Sequence, residues 1–562
     1  MAVIGLVYLM PMAALLMQSL TDPVFGVHHY ARILTQPGYL WTIARTLSIS
    51  GLATILALMI GYPVAYVIAT SDRAWLRSAL LICVILPNLT SILIRSFAWQ
   101  VLLGRVGPIN QSLQALGLPP QDLLFNAVAV IIGLTHFLLP LMILPLVSVM
   151  RSIDPALLRA GASLGAGPSI GFLRIFVPAS LPGIRVGSLL CFIYGLGAFV
   201  VPALLGGSSG RMLGVLIQSA IESQADYGLA AAAAVLLAAI VGGLFILVSG
   251  RAPGRLAAFA TPAAASGLRA TSPRSHAFQM VIRLLEPAAR AIDRSGLSKR
   301  RWVVEALAAV IGLLILLPQM IAIPISFSSA PALVFPPPDW STRWYVGFFT
   351  EQWMRPLAIS LGIALAVATV TVLLGTLSAL GIERGLSARA ATVANLVLML
   401  PLLFPTVVAA AAFYIAFAEI RLTDSVLGIL LAHVTIALPF VHAIVAANLR
   451  TLNPSFERAA ASLGAGTWAQ LRRILLPLLA NGIAVGAFFA FLTSFDEASI
   501  SVFLSGIHVK TLPRRMYEAL SVESDPTIGV IAVLSMTVAL ILITIHAAIR
   551  RRRRAPRESA HD

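Results

Sequence analysis

Twelve mainly apolar stretches, each near the ~20 residues that a helix needs to cross a bilayer, dominate the 562-residue chain. The first six run near 1–20, 46–69, 79–103, 127–150, 182–205 and 228–250, and the second six near 302–326, 357–381, 391–418, 427–449, 482–506 and 528–549. Prolines at Pro87, Pro401 and Pro405 interrupt the third and ninth. Proline is tolerated in a buried transmembrane helix where neighbours satisfy the freed carbonyl. The expected fold class is therefore an all-α membrane protein with about twelve transmembrane helices.

Composition closes the other routes. The chain is 59% hydrophobic and 11% charged, against roughly 45–50% and about 25% in soluble domains. A soluble enzyme, a disordered protein and a disulfide-stapled secreted domain are excluded. Cys83 and Cys191 both lie in apolar stretches and supply neither a disulfide framework nor a metal cluster. The net charge of +17 marks loops on the side that does not cross, because Lys and Arg concentrate there. With the N-terminus inside, the cytoplasmic segments hold 27 of the 39 basic residues and the outer loops 10, which predicts both termini in the cytoplasm of a multi-pass membrane protein. The Arg550–Arg554 run then anchors the last helix at the inner surface and is not a nucleic-acid site. The first stretch lacks a basic leader and an A-x-A cleavage site, so it reads as an uncleaved span and not as a signal peptide. A true start upstream of Met1 is compatible with this reading.

The halves are copies of one unit. DPALLRAGASLGAGPSIGFLRIFVPASLPGI from Asp154 aligns without a gap to NPSFERAAASLGAGTWAQLRRILLPLLANGI from Asn453, an offset of 299 residues. Pro155/Pro454, Arg159/Arg458, Gly165/Gly464, Gly167/Gly466, Ile175/Ile474, Pro178/Pro477 and Gly183/Gly482 are identical. Each copy lies between the fourth and fifth stretch of its half, and six crossings return the chain to the same face, so the repeat is parallel. The domains are then 1–250 with loop 151–181, a basic linker 251–301, 302–549 with loop 450–481, and a basic tail 550–562. A short helix is expected over Ala160–Leu164, ended by a left-handed glycine at Gly165 and again at Gly464, with Pro178 and Pro477 marking where the next span begins. A surface helix is expected around Phe278–Ile292 of the linker.

The spacing glycine, nine residues, isoleucine, two residues, proline, found twice, resembles the EAA loop of ATP-binding-cassette importer permeases. The resemblance implies the type I importer permease fold and makes each loop a coupling helix that fits a groove on a cytoplasmic ATPase. It places Arg159, Ala160, Gly161 and Gly165 in the first loop and Glu457, Arg458, Ala459, Ala460 and Gly464 in the second. Arg159 and Arg458 stand where the family has glutamate. Either Glu457 substitutes in one half, or the ATPase supplies an acidic partner to the arginines. The run LPNLTSILIRSFAWQVLLGRVGPIN (86–110) and GAFVVPALLGG (197–207) are similar to the first permease subunit of spermidine/putrescine importers. LAHVTIALPFVHAIVAANL (431–449), SFDEASISVFLSG (494–506) and TLPRRMYEAL (511–520) are similar to the second. The resemblance implies two permease subunits fused in one chain, moving a polyamine such as putrescine or spermidine, with relatives that import opines, aminoalkylphosphonates, ferric iron and thiamine.

No G-x-x-x-x-G-K-[ST] loop occurs, so ATP is expected on a separate ATPase dimer, with no cofactor, metal or catalytic residue on this chain. The outer loops are at most about 30 residues, too short for a receptor domain, which implies an extracytoplasmic substrate-binding protein. Transport by two rocking halves around a central site follows. Charge inside a span costs roughly 2.5–3.5 kcal/mol on insertion scales, so Asp496 and Glu497 are candidate path residues, attracting a cation or forming a gate ion pair. Arg95 is the natural partner, and a purely structural pair is the competing explanation. The equivalent first-half positions hold Gly197 and Ala198. Tyr194, Phe199 and Phe491 are candidates for the path wall; His136 and His433 are expected to be packed, hydrogen-bonded residues. Trp344, Tyr345 and Trp353 are expected in an outer interfacial belt. A secondary carrier would need an ion-coupling site and gain nothing from two coupling loops; a membrane enzyme would need an acid/base or metal cluster, and none is present.

Overall fold

The computed structural model describes residues 5–249, 276–296, 298, 300–523, 525–538 and 540–541. Linker residues 251–275, the tail 550–562 with its arginine run, and the outermost ends of the first, sixth and twelfth stretches lie outside them. Among the described residues, eight helices are long and apolar enough to cross a membrane: Pro37–Thr70, Ala127–Met150, Pro168–Leu196, Tyr227–Leu247, Arg301–Ser326, Glu351–Gly385, Val426–Thr451 and Thr467–Asp496. These are spans 2, 4, 5, 6, 7, 8, 10 and 11. Spans 3 and 9 are broken: Ala74–Leu89 meets Ile92–Ala115 at 104°, and Ala388–Leu403 meets Thr406–Glu419 at 94°. The shorter Gly5–Thr21 and Thr527–Val538 stand as spans 1 and 12, and Leu213–Glu222 is an extra apolar helix between spans 5 and 6.

Two expectations need correction. Spans 5 and 11 begin at Pro168 and Thr467, well before Pro178 and Pro477, because a π-turn (Phe172–Phe176 and Leu471–Leu475) carries the helix through each proline. The wider turn removes the i−4 hydrogen bond that a proline cannot make. The same spans also end early, at Leu196 and Asp496; the residues expected to finish them form separate short helices, Val200–Leu205 and Ser499–Leu504. Trp353 does not join an outer belt. It is fully buried, with the Arg515 guanidinium 4.7 Å from its ring centre.

Without a hydrophobic force between helices in lipid, close backbone approach at small residues does the work. Spans 2, 4 and 5 pack together in the first half, and spans 8, 10 and 11 in the second. The contact is repeated: Gly183 lies against the Leu146 and Pro145 backbone and Gly187 against Met142, while their counterparts Gly482 and Gly486 lie against Asn448 and Val441. The two halves are then strapped crosswise. Span 1 packs on Thr406–Glu419 of span 9 as well as on span 6, and span 7 packs on spans 2 and 3. The ring of His136 (span 4) donates to the Ile315 carbonyl of span 7 at 2.9 Å when its Nε2 carries the proton.

A side chain at these glycines would separate the helices. Gly187→Leu and Gly486→Leu should each destabilise by about 1–3 kcal/mol. The loss should be larger at Gly187, where a Cβ would stand 2.8 Å from the Met142 sulfur, than at Gly486, where the nearest atom is 3.2 Å away. Thermal melting of the purified chain in detergent reads the difference.

Candidate functional site

Four helix breaks meet in two pairs, each pair formed across the halves. Span 3 breaks before Ile92 and span 9 before Thr406; spans 5 and 11 stop at Leu196 and Asp496. Gly197 sits so close to Pro405 that a Cβ would be 2.4 Å from the proline Cβ, so the end of span 5 abuts the break of span 9. On the other side of the pseudo-twofold axis, Asp496 meets the Ser91 side chain, which puts the end of span 11 against the break of span 3. Only glycine permits the first contact; the second is polar.

Arg95 stands one turn beyond Ser91, 5% exposed, with its guanidinium 4.8 Å from the Phe137 ring centre. It lies within electrostatic reach of Asp496. The expected partnership is therefore present as a through-space interaction, not as a direct ion pair: Arg95 Nε and Nη1 and Asp496 Oδ1 have no hydrogen-bond partner. Glu497, beside Asp496, is engaged by the backbone. Its carboxylate accepts from the backbone of Ile500 (2.6 Å) and Ser501 (3.3 Å), and caps the helix Ser499–Leu504. Tyr194, 43% exposed, stands on the last turn of span 5, and Phe491 stacks on Phe495 near the end of span 11 with ring centres 5.8 Å apart. Phe199 lies beyond the first break and packs against Phe503 and Tyr517 of the other half. His433 pairs with Ser494 at 2.9 Å, a packed histidine as expected.

Just past this junction lies a cross-half ion pair that no sequence pattern announces. Arg514 donates to Glu222 of the first half at 2.8 Å and to Glu518 at 3.0 Å. Arg514 lies inside the TLPRRMYEAL segment, but its partner is 292 residues away. Nearby, Asp424 gathers the loop after the second break. Its carboxylate accepts from the backbone N–H groups of Gly506, Ile507, His508 and Val509 and from the His508 ring.

At the opposite end the two coupling loops are built alike. The helices Pro155–Ser163 and Ser455–Ser462 are longer than the expected Ala160–Leu164 core, with Asp154 and Asn453 bonding the first-turn amides of Ala156 and Ser455. Gly165 (φ +84°) and Gly464 (φ +80°) end them in the left-handed region. In each, the amide after the glycine reaches back to Gly161 or Ala460 at 3.0 Å. Gly161 and Ala460 face inward, whereas Arg159, Ala160, Arg458 and Ala459 are exposed. Leu164 and Leu463 are 89% and 87% exposed, an apolar knob on each loop. Glu457 is engaged by Arg384 at 3.0 Å, so it is tied to the end of span 8.

Comparison with known proteins agrees with this architecture. The family described as "Binding-protein-dependent transport system inner membrane component" matches residues 57–253 and again 371–555. The chain belongs to this family, and is a fused, two-domain permease of an ATP-binding-cassette importer. The permease protein PotB of the spermidine/putrescine transport system of Salmonella typhimurium (strain SL1344) is 36% identical over 236 residues, 42% of this chain and 81% of PotB. PotB of Haemophilus influenzae is 40% identical over 188 residues, 33% of this chain and 65% of that protein. The probable ABC transporter permease protein y4fN of Sinorhizobium fredii is 25% identical over 476 residues, 80% of this chain and 77% of y4fN. Among solved structures, a bacterial ABC transporter involved in alginate import is 22% identical with a TM-score of 0.39, over 43% of this chain and 87% of that one. Family membership sets aside the secondary carrier and the membrane enzyme.

The Asp424 knot carries a pH prediction. Partial burial would raise this carboxyl, but the His508, Val509 and Gly506 amides and the His508 ring outweigh it and hold it down to about 2. A depressed folded-state value stabilises above the unfolded value of ~3.9 and is lost as pH falls through about 2. Asp424→Asn should therefore lower stability at pH 7 by about 1–3 kcal/mol. The gap to wild type should close as acid is added, and melting curves across that range test it.

Proposed function

We propose that the chain forms the whole transmembrane pathway of an importer that moves a polyamine such as putrescine or spermidine into the cytoplasm by alternating access. The observation that carries the substrate is the 36% identity to PotB over 236 residues, 42% of this chain. A cytoplasmic ATPase dimer binds ATP and docks on the two coupling loops through Leu164 and Leu463, with Arg159 and Arg458 meeting acidic groups of the ATPase. An extracytoplasmic binding protein delivers the solute to the end that carries Glu222 and Arg514. Both termini and the linker face the cytoplasm. Asp496 draws the cationic solute to the junction, between Tyr194 and Phe491, and the Arg514–Glu222 pair closes the outer end until the halves rock.

One observation favours a second reading. Arg95 presents two buried, unpartnered donors at the junction, which suit an anionic group such as that of 2-aminoethylphosphonate. Uptake into proteoliposomes containing the co-encoded ATPase and binding protein separates the two. With labelled putrescine, uptake competed by spermidine alone is expected; no putrescine uptake, together with uptake of labelled 2-aminoethylphosphonate or ferric ion, moves the substrate to a sister group. Asp496→Asn should reduce putrescine uptake by about tenfold or more, the equivalent of ~1.4 kcal/mol, with expression and ATPase association unchanged.

A further inference from the structure

The linker helix His276–Arg294 makes the two otherwise matching coupling loops unequal. It packs on the first turns of span 5, directly after the first coupling helix. Asp293 accepts from the amides of Ser169 (2.9 Å) and Ile170 (3.3 Å), and Glu286 bridges Arg174 (2.6 Å) and Arg290 (2.5 Å). Gly167 fits against Asp293 with no room for a Cβ, whereas the equivalent Gly466 of the second loop faces open space and Trp468 beside it is 71% exposed. The helix is bolted to one loop by its two acids.

The remaining surface of this helix has a definite chemistry. Met280, Leu284, Leu285 and Ile292 are 64%, 70%, 50% and 45% exposed. At 100° per residue they share one face with Ala288, while Arg283 and Arg294 line one edge of it and Arg290 is held by Glu286. With both acids turned to the loop, the free charge along that edge is positive. The level of the helix is also fixed. It docks on 167–174, where Phe172 packs 5.3 Å from Tyr66 in the last turn of span 2. The charged cluster Asp72, Arg73, Arg301 and Glu305 follows immediately, and the exposed Trp75 and Trp302 open spans 3 and 7 at that height. Aromatic rings and charges at a span end mark the headgroup zone. An apolar face edged with arginines at that level is the signature of a helix lying in the interface of an anionic leaflet.

We propose that the linker helix binds anionic phospholipid headgroups with this face and thereby ties the first coupling loop, and not the second, to the membrane surface. The inference rests on the loops lying at a membrane surface and is independent of the substrate. It fits the basic composition of the linker, and it gives the anionic leaflet direct mechanical access to one of the two sites where the ATPase docks.

The test uses the full chain with Ala288→Cys carrying a nitroxide, in a Cys83→Ala, Cys191→Ala background that retains uptake. Collision with oxygen and with a water-soluble nickel chelate is compared in nanodiscs of phosphatidylcholine alone and with added phosphatidylglycerol. Phosphatidylglycerol should shift the label toward oxygen and away from nickel. Arg283→Glu with Arg294→Glu, which keeps the apolar face, should abolish the shift. Asp293→Asn should keep the shift but remove the dependence of ATPase stimulation on anionic lipid. A label equally open to nickel in both nanodiscs overturns the proposal. So does protection that appears only when the ATPase subunit is added, which would make the face a protein-docking surface. Putrescine uptake in the same preparations reports separately on the substrate.

Discussion

A peptide group left unpaired in hydrocarbon costs several kcal/mol, so a chain can interrupt a membrane helix only where protein covers the interruption. This protein interrupts four: spans 3 and 9 are bent by 104° and 94°, and spans 5 and 11 stop at Leu196 and Asp496. The fold follows from bringing those breaks together. Each half covers the other's, Gly197 against Pro405 and Asp496 against Ser91. The crosswise straps, span 1 on span 9 and span 7 on span 3, hold the halves in that register. Broken helices meeting at a pseudo-twofold axis are what a transporter needs, because irregular backbone is available to a solute there.

Duplication built the frame, and divergence made it directional. The first-half side of the junction is small and apolar, with Gly197 and Ala198; the second-half side carries Asp496 and Glu497, and Arg95 faces it. The same holds at the outer end, where Arg514 reaches across to Glu222, and at the coupling loops, where one is braced by the linker helix and the other ties its acid to Arg384. A fused chain fixes which half occupies which role.

Much of this was legible in the residues because it is local or repeated. The 299-residue offset, the left-handed glycines at Gly165 and Gly464 and the linker helix near Phe278–Ile292 follow from spacing and turn chemistry, and the family resemblance gave the architecture. The scarcity of charge inside spans singled out Arg95 and Asp496, which lie within electrostatic reach of each other without a direct ion pair. Other features depend on geometry that spacing does not encode. Pro178 and Pro477 look like helix starts until a π-turn passes through them. Glu497 also caps the helix Ser499–Leu504 through Ile500 and Ser501, a role its place in the sequence does not announce. Trp353 looks interfacial until Arg515 is found over it, and Glu222–Arg514 joins residues that no local pattern links.

Under the proposed function the two halves rock about the paired breaks. The most direct test is the distance between spin labels on the exposed Ala160 and Ala459, one on each coupling helix, in the reconstituted chain with its ATPase. Adding a non-hydrolysable ATP analogue should draw the labels together, as the proposed closure of an ATPase dimer beneath the two loops requires. An unchanged distance in a preparation that still takes up substrate would contradict the account.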